Sequence, residues 1–260
     1  MNIVVCIKQV PDTTDIKIDP QTNTLIREGV ESIINPFDLY AIEEAVRLKE
    51  EHGGVVTAIT MGPPQAEVAL REAISLGVDN IILLSDRKFA GADTWATSLT
   101  LSAAIKKLGN IDLIFFGQQA IDGDTAQVGP GVAAHLDIEQ ICFVSKINII
   151  DATTISMQRL MEDGYDTIET TMPLALSVVK EINTPRLPSL RGKKNARTAE
   201  LVVWNAEDLS LEEKLIGLNG SPTQVVKIFS PSLSKNGEKY EVSADESVEI
   251  IYRRIKEIRN

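Results

Sequence analysis

The sequence predicts an α/β protein built on a doubly wound, mostly parallel sheet, with additional antiparallel strands and a C-terminal arm and helix. Three observations predict it. Short β-branched runs alternate with helical patterns up to about residue 140, as in strands joined by crossover helices. From there to about 179, strand-like runs follow one another with no helical pattern between them. Beyond 200, a stretch broken by Gly217, Gly220, Pro222 and Pro231 leads into one amphipathic helix.

In chain order, residues 2–7, 55–60, 80–84 and 111–116 are apolar runs of strand length. Between them lie the helical patterns 38–50, 65–76 and 93–108; the first carries Ile42, Ala45, Val46 and Lys49 at helical spacing, with Asp38 as a candidate cap. Four further strands are expected at 142–150, 153–157, 166–172 and 174–179, separated by Asp-Ala, Glu-Asp-Gly and Pro173. Residues 205–242 read as an extended arm unable to form a core alone. A helix over 244–258 follows, in which Ser243 and Glu246 have capping-box spacing and Val248, Ile251, Ile255 and Ile258 make one apolar seam. That seam needs a surface to pack on.

Composition narrows the function. A formal net charge of −11 over 260 residues argues against a general nucleic-acid binder, whose footprint is a basic surface. The two cysteines, Cys6 and Cys142, sit far apart in apolar runs, which fits a reduced cytoplasmic setting better than a disulfide framework. Neither a signal peptide nor a run of membrane-spanning length is legible. His52 and His135 each fall near an expected helix end, where interaction with terminal carbonyls is the simplest role. No HExxH, GxSxG or P-loop pattern occurs, no metal cluster is legible, and no catalytic residue is assigned. The GxGxxA match at 129–134 contains Pro130 and lies inside an expected helix start, so it reads as accidental.

One stretch carries the strongest functional signal. Gly117-Gln-Gln-Ala-Ile-Asp-Gly-Asp-Thr-Ala-Gln-Val-Gly-Pro-Gly131 follows an apolar strand directly. A strand that empties into a glycine-rich loop and a helix start offers unpaired N–H groups and a favourable dipole to an anion. Thr125, Ala126, Gln127 and Val128 are the expected first-turn donors, and Gly117, Gly123 and Gly129 the positions free to take positive φ or to approach a ligand closely. Asp122 and Asp124 would serve ribose or ribityl hydroxyls, or cap the helix. Loops at 8–12, 61–64, 85–86 and 91–94, with 35–38, fall on the same sheet edge. In a parallel sheet they converge on one crevice outside the carboxyl ends of the strands. With no base or nucleophile there, the expected ligand is a cofactor that brings its own chemistry.

Residues 186–197 hold Arg186, Arg191, Lys193, Lys194 and Arg197 and no acidic residue, interrupted by Pro185, Pro188 and Gly192. The segment reads as a solvated basic loop or as a partner-docking loop with Leu187 and Leu190 as apolar anchors.

Together, Val5-Cys-Ile-Lys-Gln-Val-Pro-Asp12, residues 34–45 (Ile-Asn-Pro-Phe-Asp-Leu-Tyr-Ala-Ile-Glu-Glu-Ala), Thr60-Met-Gly-Pro-Pro64, Ala90-Gly-Ala-Asp-Thr94, the loop at 117–130, Thr184-Pro-Arg-Leu-Pro-Ser-Leu190 and Gly220-Ser-Pro-Thr223 resemble the β subunit of electron transfer flavoproteins. The resemblance spans essentially the whole chain. It implies an adenine-nucleotide-binding α/β domain over 1–200, including a docking loop at 183–197, and an arm and helix over 201–260 that pack on an α subunit. It implies a heterodimer whose FAD is carried mainly by the α chain.

Respiratory members of that family hold AMP in the β crevice. Electron-bifurcating members hold a second FAD there, reduced by NADH, which sends one electron to ferredoxin or flavodoxin and the other towards an acyl-CoA dehydrogenase or enoyl-CoA reductase. Asp122-Gly-Asp-Thr-Ala-Gln-Val128 is similar to the bifurcating group, where AMP-type loops tend to read Asp-Asp-Asp-Cys-Asn-Gln-Thr. By that resemblance Cys6, Asn35, Met61, Gly62, Ala120, Gly123, Ala126, Gln127 and Val128 line the adenosine-phosphate part. Gln9, Val10, Thr94, Asp122, Asp124 and Thr125 extend it towards the ribityl chain and flavin. Leu187 takes the place of the family's docking anchor, with Leu190, Arg191, Lys193 and Lys194 around it. The alternative outside this family is a free-standing nucleotide-binding α/β protein, against which the arm argues.

Overall fold

The computed structural model describes residues 1–12, 32–226 and 237–259. In chain order the elements are β1 (Asn2–Cys6), β2 (Gln9–Pro11), β3 (Ser32–Ile34), α1 (Pro36–His52), β4 (Val55–Met61), α2 (Glu67–Leu76), β5 (Asn80–Leu84), α3 (Thr94–Leu108), β6 (Leu113–Gly117), α4 (Val128–Leu136), β7 (Glu139–Ile149), β8 (Thr154–Met161), β9 (Gly164–Thr171), β10 (Leu174–Val178), α5 (Leu190–Thr198), β11 (Leu201–Trp204) and α6 (Ala244–Arg259), with short 3-10 turns between them.

β1 lies inside a sheet of order β11-β5-β4-β1-β6-β10-β7-β8-β9. Every pair from β11 to β7 is parallel, and β8 and β9 extend the β7 edge antiparallel. This is the expected doubly wound α/β class. From β1 the chain builds outward through β4 and β5, then returns to place β6 on the other side of β1. The order therefore reverses between β1 and β6, the point at which open α/β sheets hold ligands.

Both sheet faces are covered, which explains why the central strands read as unbroken apolar runs. Because successive side chains alternate, Ile3, Val5, Leu113 and Phe115 pack with Ile42 and Val46 of α1 and Leu70 and Ile74 of α2. Val4, Cys6, Ile114 and Phe116 pack on the other face with Leu101 and Ile105 of α3 and Val132 of α4. The period-2 pattern of each strand thus serves two cores at once.

Four local expectations change. Residues 9–11, expected within a loop, pair antiparallel with Ser32–Ile34 as a small ribbon. Asp38 does not cap α1; Asn35 is the N-cap residue, without a side-chain cap bond, and Asp38 lies in the first turn. The basic segment is not irregular. Ser189 Oγ accepts from Gly192 N–H at 2.9 Å and opens α5, so the prolines precede the helix instead of breaking it. Gly192 is tolerated because α5 lies against α2: a Cβ there would stand 2.9 Å from the Ser75 carbonyl carbon.

The stretch expected to be an arm from 205 onward is, in its first part, core. Leu201–Trp204 joins the sheet beside β5, and Ala206, Leu209 and Ile216 are buried against the α3 side. Met1–Val226 forms one compact unit and Lys227–Asn260 another. The part of the expected arm at 227–236, with Pro231, lies outside the described residues. In the second unit the expected capping box forms: Ser243 N–H donates to Glu246 Oε2 at 3.1 Å and Glu246 N–H to Ser243 Oγ at 3.4 Å. The α6 seam of Val248, Ile251, Ile255 and Ile258 is exposed. Among the described residues no helix is long and apolar enough to cross a membrane.

Gly117, where β6 ends, meets the start of α1 so closely that a Cβ would stand 2.6 Å from the Phe37 carbonyl carbon and 2.8 Å from Asp38 N. Gly117→Ala should cost about 1–3 kcal/mol in urea unfolding. Gly123→Ala, whose Cβ would meet only Lys8 Nζ at 4.0 Å, should stay within about 0.5 kcal/mol of the parent.

Candidate functional site

The loops after β1 and β6 and the start of α1 are tied at the switch point by two side chains. Asn35 is 1% exposed, and its amide donates to Gln119 O at 2.8 Å and to Asp38 Oδ1 at 2.9 Å while accepting from Ile121 N–H at 3.1 Å. Asp38 accepts the Lys8 N–H at 2.7 Å. Burial pushes the Asp38 carboxyl up to about 7, partly offset by the Asn35 and Lys8 hydrogen bonds and the Lys8 charge. The thiol of Cys6 is driven well above its ordinary range, first by burial and then by the nearby Asp38 carboxylate, so it stays protonated and behaves as a small apolar side chain.

Above this knot stands the loop before α4, and here the expected helix start moves. α4 begins at Val128, with Gln127 as its N-cap residue and no side-chain cap bond, three residues later than Thr125. Positive φ falls on Asp124 (52°) and Ala126 (53°), not on Gly117, Gly123 or Gly129. Those glycines serve other ends: Gly117 lets β6 reach α1, and Gly129 lets α4 lie on Phe116. Left-handed Ala126 followed by right-handed Gln127 (φ −102°, ψ −20°) turns successive N–H groups towards one side, the geometry of an anion-binding concavity. Among the described residues nothing accepts from the N–H groups of Thr125, Ala126, Gln127 or Val128. Neither aspartate caps the helix. Asp122 pairs with Lys8 Nζ at 2.7 Å and Asp124 accepts from Gln119 Nε2.

The other expected site residues distribute unevenly. Thr94 Oγ1 donates to Gln127 Oε1 at 2.9 Å, joining the start of α3 to the start of α4. Gln9 Nε2 donates to Gln65 O at 3.3 Å, joining the β1 and β4 loops, and Met61 and Gly62 lie half-buried at the end of β4. Gly123, Asp124 and Thr125 are exposed, Ala120 half-buried. Cys6 and Val10 are buried in their strands. The 85–86 loop turns away: Asp86 accepts from Lys88 and Ala206 N–H groups beside β11. Asp93 caps α3 and also accepts from Thr223. Sequence reasoning missed Lys8, Asp38 and Gln119 as a group. Lys8 was visible as a cation directly after a buried strand.

The second candidate surface lies around α5. Arg186 donates from its backbone N–H, Nε and Nη2 to Glu43 and from both terminal nitrogens to Glu50, at 2.6–3.2 Å. These contacts, Glu50 foremost, raise its already high pKa. Asn183 Nδ2 donates to Tyr40 O and to Glu44, both at 3.0 Å, and Arg71 Nη1 holds Ala196 O at 2.6 Å near the end of α5. On this fixed base Leu187 and Leu190 are each 89% exposed, beside exposed Arg191, Lys193 and Lys194. His135 does not cap α4; its ring lies edge-on to Trp95 at 4.7 Å, and burial, then Lys106, lowers its pKa.

Parallel strands covered on both faces, with a strand order that reverses between β1 and β6, define a doubly wound α/β protein. The electron transfer flavoprotein domain matches residues 22–209. The chain is 51% identical to the electron transfer flavoprotein subunit beta of Thermoanaerobacterium thermosaccharolyticum over 98% of both chains. It is 52% identical to the caffeyl-CoA reductase-Etf complex subunit CarD of Acetobacterium woodii over 92% of this chain and 91% of that one. To protein FixA of Azotobacter vinelandii it is 48% identical over 93% and 88%. This chain belongs to the electron transfer flavoprotein family, as a β subunit.

Asp38 gives the site a pH signature. Its folded pKa of about 7 lies above the ordinary 3.8, so between those values the folded protein holds a proton that the unfolded chain releases. Its contribution is therefore complete below about pH 4 and lost as pH rises through about 7. The stability advantage of the parent over Asp38→Asn should shrink by about 1 kcal/mol or more from pH 5 to pH 8, read from urea unfolding of both.

Proposed function

We propose that this chain is the β subunit of an electron-bifurcating electron transfer flavoprotein acting in the cytoplasm, with FAD in the crevice between β1 and β6. NADH is the donor. Ferredoxin or flavodoxin takes one electron, and an acyl-CoA dehydrogenase or enoyl-CoA reductase takes the other. The observation that carries the reading is the turn at Ala126 and Gln127 at the switch point, whose N–H groups nothing among the described residues accepts. Those groups fit a ligand phosphate, and Gly123 leaves the neighbouring space open. Bound there, FAD supplies the hydride-accepting and electron-transferring chemistry.

The protein's own residues bind and orient. Ala120 and Ala126–Val128 meet the phosphate side, with Cys6, Met61 and Gly62 behind. Asn35 and Asp38 hold the loop from below. Gln9, Val10, Thr94, Asp124 and Thr125 extend towards the ribityl end. The name of the Acetobacterium woodii relative, a subunit of a caffeyl-CoA reductase complex, favours an enoyl-CoA reductase as the acceptor. Residues 201–216 belong to this chain's own core, and α6 is assigned to packing on the α subunit, which would cover its exposed seam.

Two measurements test the reading. The purified αβ complex should contain two FAD per dimer; one FAD with one AMP would establish the structural-nucleotide alternative instead. Leu187→Ala should raise the apparent KM for the partner dehydrogenase about tenfold, on the scale of an interface anchor, with flavin content unchanged. Flavin loss from that variant would show a structural role for the segment around α5.

A further inference from the structure

Residues 216–223 form a strap across the loop that leads from β5 into α3. Leu218 N–H donates to Ala90 O at 3.0 Å, and Leu218 covers Gly91, where a Cβ would meet the Leu218 Cβ at 3.2 Å. Gly217, at φ 54°, lies so near Lys88 that a Cβ would stand 3.0 Å from its carbonyl carbon. Glycine at 217 therefore answers both a left-handed backbone and a close approach.

The strap ends on Asp93, the residue that caps α3. Asp93 N–H donates to Ser221 Oγ at 2.8 Å, and Ser221 Oγ in turn donates to Gly217 O at 2.7 Å. Asp93 Oδ2 accepts from Thr223 N–H at 3.0 Å and from Thr223 Oγ1 at 2.7 Å, while Oδ1 accepts the Ala96 N–H at 3.1 Å. Both carboxylate oxygens are thus committed, one to the strap and one to the helix. Thr94, the next residue, donates from Oγ1 to Gln127 Oε1 at 2.9 Å. Gln127 opens α4 without a side-chain cap bond, so the start of α4 leans on α3 through Thr94 and through Ser98 Oγ, which donates to Val128 O at 3.2 Å. An unbroken chain of contacts runs from the strap to the turn at Ala126 and Gln127. Ser221 is half-buried and Thr223 exposed, so their hydroxyls add little to the core; what they remove is the freedom of Asp93 and Thr94 to move.

We propose that Ser221 and Thr223 are positioning residues for the turn at Ala126 and Gln127, acting through Asp93 and Thr94 without touching the ligand. This rests on the reading of that turn as a nucleotide cradle. Any freedom left to the turn before the ligand arrives becomes an ordering cost on binding. The strap lowers that cost through α3, while Asn35 holds the same loop from the start of α1.

The test titrates the αβ complex, cleared of exchangeable nucleotide, with AMP and with FAD, and follows the one that the parent binds more tightly. Ser221→Ala combined with Thr223→Val should weaken that ligand about tenfold, with the ligand-free thermal midpoint lowered by no more than about 4 °C. Thr223→Ser, which keeps the hydroxyl, should bind like the parent. In a Thr94→Val background the same double change should weaken binding by less than about twofold, since the link to Gln127 is already cut. Unchanged affinity in the double variant, a larger fall in its thermal midpoint, or losses that multiply in full with that of Thr94→Val would overturn the positioning role. If the parent complex binds neither ligand, the cradle reading itself fails and the positioning role falls with it.

Discussion

The architecture of the crevice depends on one buried carboxylate. Asp38 gathers the N–H of Lys8 from the end of β1 and the amide of Asn35 at the start of α1, and Asn35 in turn holds Gln119 O and the Ile121 N–H in the loop after β6. Three chain segments distant in sequence are thereby held at the point where strand order reverses. A carboxylate can accept several donors, so it suits a junction where backbone groups would otherwise be orphaned. Its burial opposes ionisation, and the converging N–H groups offset only part of that cost. The loop that carries the N–H donors of Ala126–Val128 rests on this knot through Gln119 and Ile121.

The surface around α5 follows a similar logic with charge instead of burial. Arg186 engages Glu43 and Glu50 with a planar fork, while Arg71 and Asn183 secure the segment elsewhere. Its charge is therefore neutralised within the subunit, and the exposed basic residues are those of α5 itself. Fixing the backbone beneath two exposed leucines lowers the ordering cost of any contact they make. A basic stretch that reads as a loose loop is instead a rigid platform.

Much of the fold was legible because burial on two faces leaves a strong imprint. The runs at 2–7, 55–60, 80–84 and 111–116 carry β-branched and aromatic residues throughout, and each became a strand within a few residues of its expected bounds. The loops were legible too, since strand ends followed by Gly, Pro, Asn and Asp announce them, although the 85–86 loop turns away towards β11. Less visible were elements whose existence rests on distant partners. The ribbon of Gln9–Pro11 needs Ser32–Ile34, and α5 needs the surface of α2 that Gly192 approaches. The short strand Leu201–Trp204 needs the open edge of β5.

By itself the sequence determined the strand and helix repeat, the sheet edge on which the loops after the strands fall, the capping box of α6 and the family motifs. These depend on local spacing and on the alternation of apolar side chains, which a linear reading captures. Only the tertiary structure decided that Asp38, together with Asn35, ties three segments instead of capping a helix. It also decided that α4 begins at Val128, that Ala126 and not a glycine takes the left-handed turn, and that Lys8 faces Gly123. The physical reason is common to all four. Each depends on which groups remain to satisfy a donor, a charge or a void once distant segments have packed, and adjacent residues do not encode that outcome.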